Sequence, residues 1–152
     1  MGETNLPVEG GCRCGALRFR ITKAPLLTGA CHCTGCQRMT ASAFSLSAAI
    51  PTDSFELIQG EPVIGGLHGP VAHHFHCDFC KSWVFTRAEG MDWFVNVRPT
   101  MLDAPGNFTP FVELFTADKL PWVTTPAKHS FAGSPDLGDF QKLMVEFAAR
   151  PA

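Results

Sequence analysis

Ala30-Cys31-His32-Cys33-Thr34-Gly35-Cys36-Gln37-Arg38 places three thiols within six residues, in the spacing Cys-x-Cys-x-x-Cys. A structural zinc site closes with four protein ligands, whereas a catalytic zinc keeps three and leaves one position open. Four further cysteines form two outlying pairs, Cys12/Cys14 and Cys77/Cys80. The seven thiols therefore divide into a set of four, complete in itself, and a set of three that lacks a fourth thiol.

At 152 residues, 45% hydrophobic and 17% charged, the chain fits one globular domain and not a disordered one. Residues 1–9 read as a leader ending near Pro7, and residues 10–152 as a single zinc-binding domain. Within it, 10–123 carry the motifs and 124–152 form a C-terminal extension. The chain opens without a basic-plus-apolar signal, and Leu6 stands where a myristoylation signal wants Ser or Thr. No apolar run approaches the ~20 residues that span a bilayer. The expectation is a cytoplasmic protein with no membrane partner. Cytosolic thiols are kept reduced, so seven cysteines point to metal ligation and not to disulfides. The formal charge of −2 falls to about −5 once seven thiolates hold two zinc ions. An acidic total without a Lys/Arg run argues against nucleic acid as a partner.

The remainder reads as short strands. Leu17, Phe19 and Ile21 alternate with Arg18 and Arg20, which predicts a strand with one wet face over residues 16–22. Further strands are predicted over 26–30, 43–50 (closed by Pro51), 55–59, 71–76, 83–86, 93–97 and 111–115. Gly65-Gly66-Leu67-His68-Gly69-Pro70 is turn-rich and predicts a loop. Only the tail has helical spacing, through Phe140, Leu143, Met144 and Phe147, with Ser134 as the predicted N-cap and Pro135 as the first helical residue. The fold class is mainly β with a short C-terminal helix.

Cys12-x-Cys14 and Cys77-x-x-Cys80 each sit at a turn between predicted strands, so they converge on one ion if those strands adjoin. A tetrahedral four-thiolate zinc of structural role follows. For Cys31, Cys33 and Cys36 the question is what takes the fourth position. Water or an incoming thiol would leave a chemically competent site, whereas His32 or the cluster His73, His74 and His76 would close it. Arg38 is a candidate for a two-pronged contact with a substrate carboxylate, and Phe44 and Trp122 for pocket walls.

Three segments carry a resemblance. Gly11-Cys12-Arg13-Cys14-Gly15-Ala16-Leu17-Arg18-Phe19, Cys31-His32-Cys33-Thr34-Gly35-Cys36-Gln37-Arg38 and Cys77-Asp78-Phe79-Cys80 resemble the glutathione-dependent formaldehyde-activating family, whose domain is shared with centromere protein V. Lys119-Leu120-Pro121-Trp122-Val123 is similar to that family's Pro-Trp segment. Lys81 follows Cys80 where the family usually has glycine, and Pro99-Thr100-Met101-Leu102-Asp103-Ala104-Pro105 answers to its later Gly-x-Leu-Asp-x-Pro segment with proline and no glycine. The resemblance implies a zinc-bearing β-tent of antiparallel sheets. It matches Cys12, Cys14, Cys77 and Cys80 to a structural zinc, and Cys31, Cys33 and Cys36 to a second zinc that meets the glutathione sulfur. The implied activity is that of a carbon–sulfur lyase joining glutathione, or another small thiol, to formaldehyde or another small aldehyde. His32 is then a candidate proton carrier. The rival expectations are a zinc-binding interaction module and a thiol/zinc redox sensor.

Overall fold

The computed structural model describes residues 5–67 and 69–151. Residues 1–4 of the leader and its lipidation reading, His68 of the predicted loop, and Ala152 lie outside the described residues. In chain order the elements are β1 (Val8–Gly11), β2 (Arg18–Ile21), β3 (Leu27–Cys31), α1 (Thr34–Thr40), β4 (Ser45–Pro51), β5 (Phe55–Gln59) and β6 (Pro62–Ile64). β7 (Ala72–Cys77), β8 (Trp83–Ala88), β9 (Phe94–Val97), β10 (Val112–Leu114), β11 (His129–Ser130) and α2 (Leu137–Ala148) follow. The class is mainly β, as the alternation implies.

Strands β1-β2-β5 form a three-stranded antiparallel sheet, and the other eight form a second sheet in the order β11-β10-β3-β4-β9-β8-β7-β6. Most pairings are antiparallel, but β10 runs parallel to both β3 and β11. The alternation that marked β2 buries Leu17, Phe19 and Ile21 against Ile50, Val95, Val97 and Phe85 of the larger sheet. Phe85 stacks on Phe75 at 4.7 Å and meets Phe55 at 5.0 Å, so aromatic packing knits the two layers. Gly10 permits a close backbone approach. A Cβ there would stand 2.4 Å from the Met101 carbonyl and 2.6 Å from the Phe19 ring.

A second cluster joins Leu27, Phe111 and Val112 to Leu143 and Phe147 of α2. The helical stripe read from the tail therefore packs on the β3/β10 end of the large sheet. The helix begins later than Ser134 would place it. Asp136 is the N-cap, its carboxylate accepting from the Asp139 N–H at 2.8 Å, while the Ser134 hydroxyl donates to the Pro135 carbonyl. Two capping residue types stand two positions apart, and the side chain that reaches the free N–H wins.

Strands β1, β6 and β11 and one helix are absent from the sequence reading. Residues 34–40 form α1, with Cys33 as its N-cap: the Cys33 sulfur accepts from the Cys36 N–H at 3.3 Å. Ala41 ends the helix in the left-handed conformation, and the Thr40 hydroxyl donates back to the Cys36 carbonyl at 2.8 Å.

Candidate metal centres

The hairpin turn between β1 and β2 carries Cys12 and Cys14, and the turn between β7 and β8 carries Cys77 and Cys80. Packing one sheet on the other brings these turns together, and the four sulfurs lie within 4.8 Å of one another. Zn–S bonds of ~2.3 Å at tetrahedral angles separate ligand sulfurs by about 3.8 Å. Cys12 and Cys14 are 3.6 Å apart, and Cys14 and Cys77 3.8 Å, so the donor set fits a tetrahedral ion. The Leu17 N–H donates to the Cys12 sulfur at 3.2 Å, and Ser82 contacts Cys80 at 3.2 Å. Such outer contacts fix sulfur orientation and favour the thiolate; the Ser82 hydroxyl above all holds the Cys80 thiol down to about 5.

Lys81 takes the left-handed backbone conformation, φ 60°, which lets its N–H reach the Cys77 carbonyl at 2.9 Å. Glycine enters this region freely, and other residues at a cost of roughly 1–2 kcal/mol. That is the physical reason a glycine suits the position after the second cysteine.

Cys31 ends β3, Cys33 caps α1 and Cys36 lies in its first turn. Their sulfurs also fall within 4.8 Å of one another, all half-buried. Among the described residues no histidine joins either group of converging donors. Within the three, pairing with Cys31 pulls the Cys36 thiol down to about 5, helped by the Ser45 hydroxyl and by Arg98. The same pairing, with burial, pushes Cys31 up.

Arg98 is the cation of this site. It stands at the end of β9, almost wholly buried, and stacks over Trp83 with its guanidinium carbon 3.9 Å from the ring centroid. It donates to the Leu46 carbonyl at 3.0 Å and to the Thr86 hydroxyl at 3.3 Å, while its Nε has no partner. Burial pushes the guanidinium down to about 10, offset in part by the facing Cys36 and Cys31 thiolates. It remains charged at neutral pH. Three thiolates holding one zinc(II) would carry a net −1, which a buried arginine would balance. Arg98 also lines an open hollow of about 510 Å³ with Met39, Phe44, Lys81, Trp83 and Thr100.

Comparison with known proteins agrees with this geometry. The family model for glutathione-dependent formaldehyde-activating enzymes matches residues 7–118, spanning both thiol sets. The chain belongs to this family. A Halomonas elongata protein, provisionally named a glutathione-dependent formaldehyde-activating enzyme, is 31% identical over 146 residues, covering 85% of this chain and 89% of the relative. A crystal structure of a Rhodobacter sphaeroides protein shares the fold, with a TM-score of 0.51 at 17% identity over 62% of this chain and 87% of that one. Two cysteine groups able to hold metal ions therefore sit in a formaldehyde-activating family fold. No helix among the described residues is long and apolar enough to cross a membrane.

The other residues singled out in the sequence scatter around this family's core. His32 is fully buried, its Nε2 2.9 Å from the Glu113 carboxylate and its ring edge-on to Phe44 at 5.5 Å. Phe44 lines the Arg98 hollow. Arg38 is exposed on α1, and Trp122 is 75% exposed; neither lines that hollow. His74 meets the Thr86 hydroxyl at 2.9 Å and, like His76, packs against Trp83.

Two charged residues escaped sequence reasoning. Glu113, on β10, is a hub: Ser130 and Thr125 donate at 2.6 and 2.8 Å, and Lys119 and His32 close around the same carboxylate. Burial pushes its carboxyl up, but those partners more than offset it and hold it at about 2. The available signal was the apolar setting of each: Glu113 between Val112 and Leu114, and Arg98 after Val95-Asn96-Val97.

Proposed function

We propose that this chain is a zinc-dependent enzyme of carbon–sulfur lyase type, joining glutathione or a similar small thiol to formaldehyde or another small aldehyde. The observation that carries the reading is the division of the thiols. Cys12, Cys14, Cys77 and Cys80 make a complete tetrahedral set, whereas Cys31, Cys33 and Cys36 converge with no fourth protein donor among the described residues. Cys31, Cys33 and Cys36 would hold the substrate-facing ion, Cys12, Cys14, Cys77 and Cys80 the structural one. Zinc at the former supplies a Lewis-acid position that favours the thiolate over the thiol near neutral pH.

This chain's own residues do the rest. Arg98 places a fixed positive charge beside the three sulfurs, where it stabilises added anionic charge. Arg98 and Lys81 on the walls of the 510 Å³ hollow suit the carboxylates of a glutathione-like thiol. Phe44 forms its apolar side, and Arg38 and Trp122 stand outside it, open to the solvent-facing part of such a ligand. His32 is enclosed by Glu113 and Phe44, so we assign it to positioning. It fixes the chain between Cys31 and Cys33, while Gln37 donates to the His32 carbonyl at 2.7 Å. Cytoplasmic residence and a single domain over residues 10–152 belong to the same reading.

The test is the rate of S-hydroxymethylglutathione formation above the uncatalysed rate, in protein of measured zinc content. The expected outcome is catalysis by wild type and the uncatalysed rate in a folded Cys33→Ser variant. Equal rates with and without protein would refute the reading.

A further inference from the structure

The eight-stranded sheet has one face on the core and one that α2 covers only in part. Along β3 and β4 the outward positions include Leu27, Gly29 and Cys31, opposite Ala49, Ser47 and Ser45. Asn96 of β9 continues that face beside Ala49, and Thr86 of β8 stands beside Asn96. The cross-sheet register thus lays Leu27, Ala49, Asn96 and Thr86 side by side over four strands, none of them larger than leucine. Above this floor lies a second hollow of about 380 Å³, distinct from the one Arg98 lines with Phe44 and Lys81. Its walls are apolar: Leu27, Phe94, Trp93, Leu114, Phe140 and Met144. Cys31 is itself part of its lining, so the hollow is continuous with the three-thiol set. Met91, Trp93, Val71 and Leu137, also in its lining, are exposed.

We propose that this hollow is the subsite for the body of the carbonyl substrate, and that the substrate class is an aldehyde bearing an apolar chain of about six to ten carbons. The inference rests on the thiol-addition reading above and deepens it. Formaldehyde has two heavy atoms and would touch only the wall beside Cys31. Small-molecule pockets of 300–1,000 Å³ take much larger organic ligands and are lined mainly by apolar side chains, as this one is. The floor crosses β3, β4, β9 and β8, three strand spacings or about 14 Å, the reach of an extended medium-length alkyl chain. The hollow's lining contains no Lys, Arg, Asp or Glu, whereas the hollow on the other side of Trp83 and Arg98 contains two cations. The two partners of one addition thus have separate places: a charged thiol on the Arg98 side and an apolar carbonyl body on the Cys31 face. In the reaction the sulfur forms a bond to the carbonyl carbon, the π pair moves to oxygen, and the thiol proton ends on that oxygen. Nothing is oxidised or reduced.

The experiment uses the zinc-loaded protein with glutathione and the straight-chain aldehydes from propanal to octanal, whose carbonyls differ little in reactivity. Each methylene moved from water into an apolar site is worth up to about fourfold. The expected result is a kcat/KM that rises two- to fourfold per carbon along the series. Isothermal titration with 1-octanol, an unreactive probe, should show saturable binding. Ala49→Leu and, on a different strand, Ala88→Leu fill the floor; each should weaken octanol binding at least tenfold and lower the octanal-to-propanal ratio by as much, with melting temperature reporting the fold. A flat aldehyde series, or octanol binding unchanged in both folded variants, overturns the proposal even if formaldehyde is turned over. Octanol binding without turnover of any aldehyde shows an apolar ligand site but overturns the aldehyde assignment together with the thiol-addition reading, whereas a flat series with turnover overturns the assignment alone. A dimer in sedimentation that dissociates with Leu137→Glu while octanol fails to bind also overturns it, because the face is then a contact between copies.

Discussion

The two thiol sets use the same ligand chemistry and are built in opposite ways. The four-thiol set gathers sulfurs from two hairpin turns, with Cys14 and Cys77 separated by 63 positions in the chain yet 3.8 Å apart in space. An ion there closes a long loop and ties the small sheet to the large one. The three-thiol set comes from one six-residue stretch at the end of β3. Its scaffold is secured independently: β3 is paired with β4 and β10, and Gln37 bridges the His32 and Asp118 carbonyls at 2.7 and 3.0 Å. An ion there organises little that the sheet has not already fixed. By ligand separation along the chain, an ion at the four-thiol set would have more to organise than one at the three-thiol set.

The sharpest way to break that comparison is a pair of serine substitutions. Metal at a four-thiolate site supplies on the order of 10 kcal/mol, comparable to a domain's whole stability. Cys77→Ser should abolish soluble folded protein, whereas Cys33→Ser should keep the far-ultraviolet spectrum of wild type with one zinc fewer. Equal loss of fold in both would show that the division of the thiols is wrong.

Glu113 gives the next largest effect, because it anchors the three-thiol side from β10. A carboxyl held at about 2 instead of its ordinary 4.5 contributes roughly 3 kcal/mol. The folded value is the lower one, so the contribution is complete above about pH 4.5 and is lost as pH falls towards about 2. Glu113→Gln should cost about 3 kcal/mol in urea unfolding at pH 7, and its deficit should shrink as the pH is lowered below 4.5. A deficit independent of pH over that range would exclude a carboxylate role.

Arg98→Gln tests the electrostatic side of the same comparison. It should lower kcat/KM for glutathione about tenfold, or ~1.4 kcal/mol of transition-state stabilisation, while zinc content at the four-thiol set is unchanged. An unaltered kcat/KM would remove Arg98 from the account. The smallest effect lies in the structural knuckle. Lys81→Gly relieves a left-handed backbone and should raise stability by up to about 1 kcal/mol, read as a higher urea midpoint with the same slope. A lower midpoint would mean that the Lys81–Asp78 pair at 3.0 Å outweighs the strain.

The sequence made legible what is encoded locally. Cysteine spacing marked both metal sets, and period-two alternation placed β2, β4 and β9 within a residue or two. The helix α1 was hidden because it is short, contains Gly35, and is capped by a cysteine where Ser, Thr, Asp or Asn is usual. The parallel pairing of β10 with β3 leaves no local trace, since it joins residues about 80 positions apart. Arg98 and Glu113 matter through burial, and burial is set by which strands become neighbours. Their polarity within apolar runs was visible, but the partners that give it meaning include distant segments, His32 for Glu113 and Leu46 for Arg98.

The coordination of the second ion, read by X-ray absorption on protein carrying two zincs, tests the central claim most directly. With the four-thiol set contributing four sulfurs, the account predicts three sulfurs and one lighter atom at the second zinc, and four sulfurs after glutathione is added. A second zinc closed by a protein side chain, with a spectrum that glutathione leaves unchanged, would contradict it.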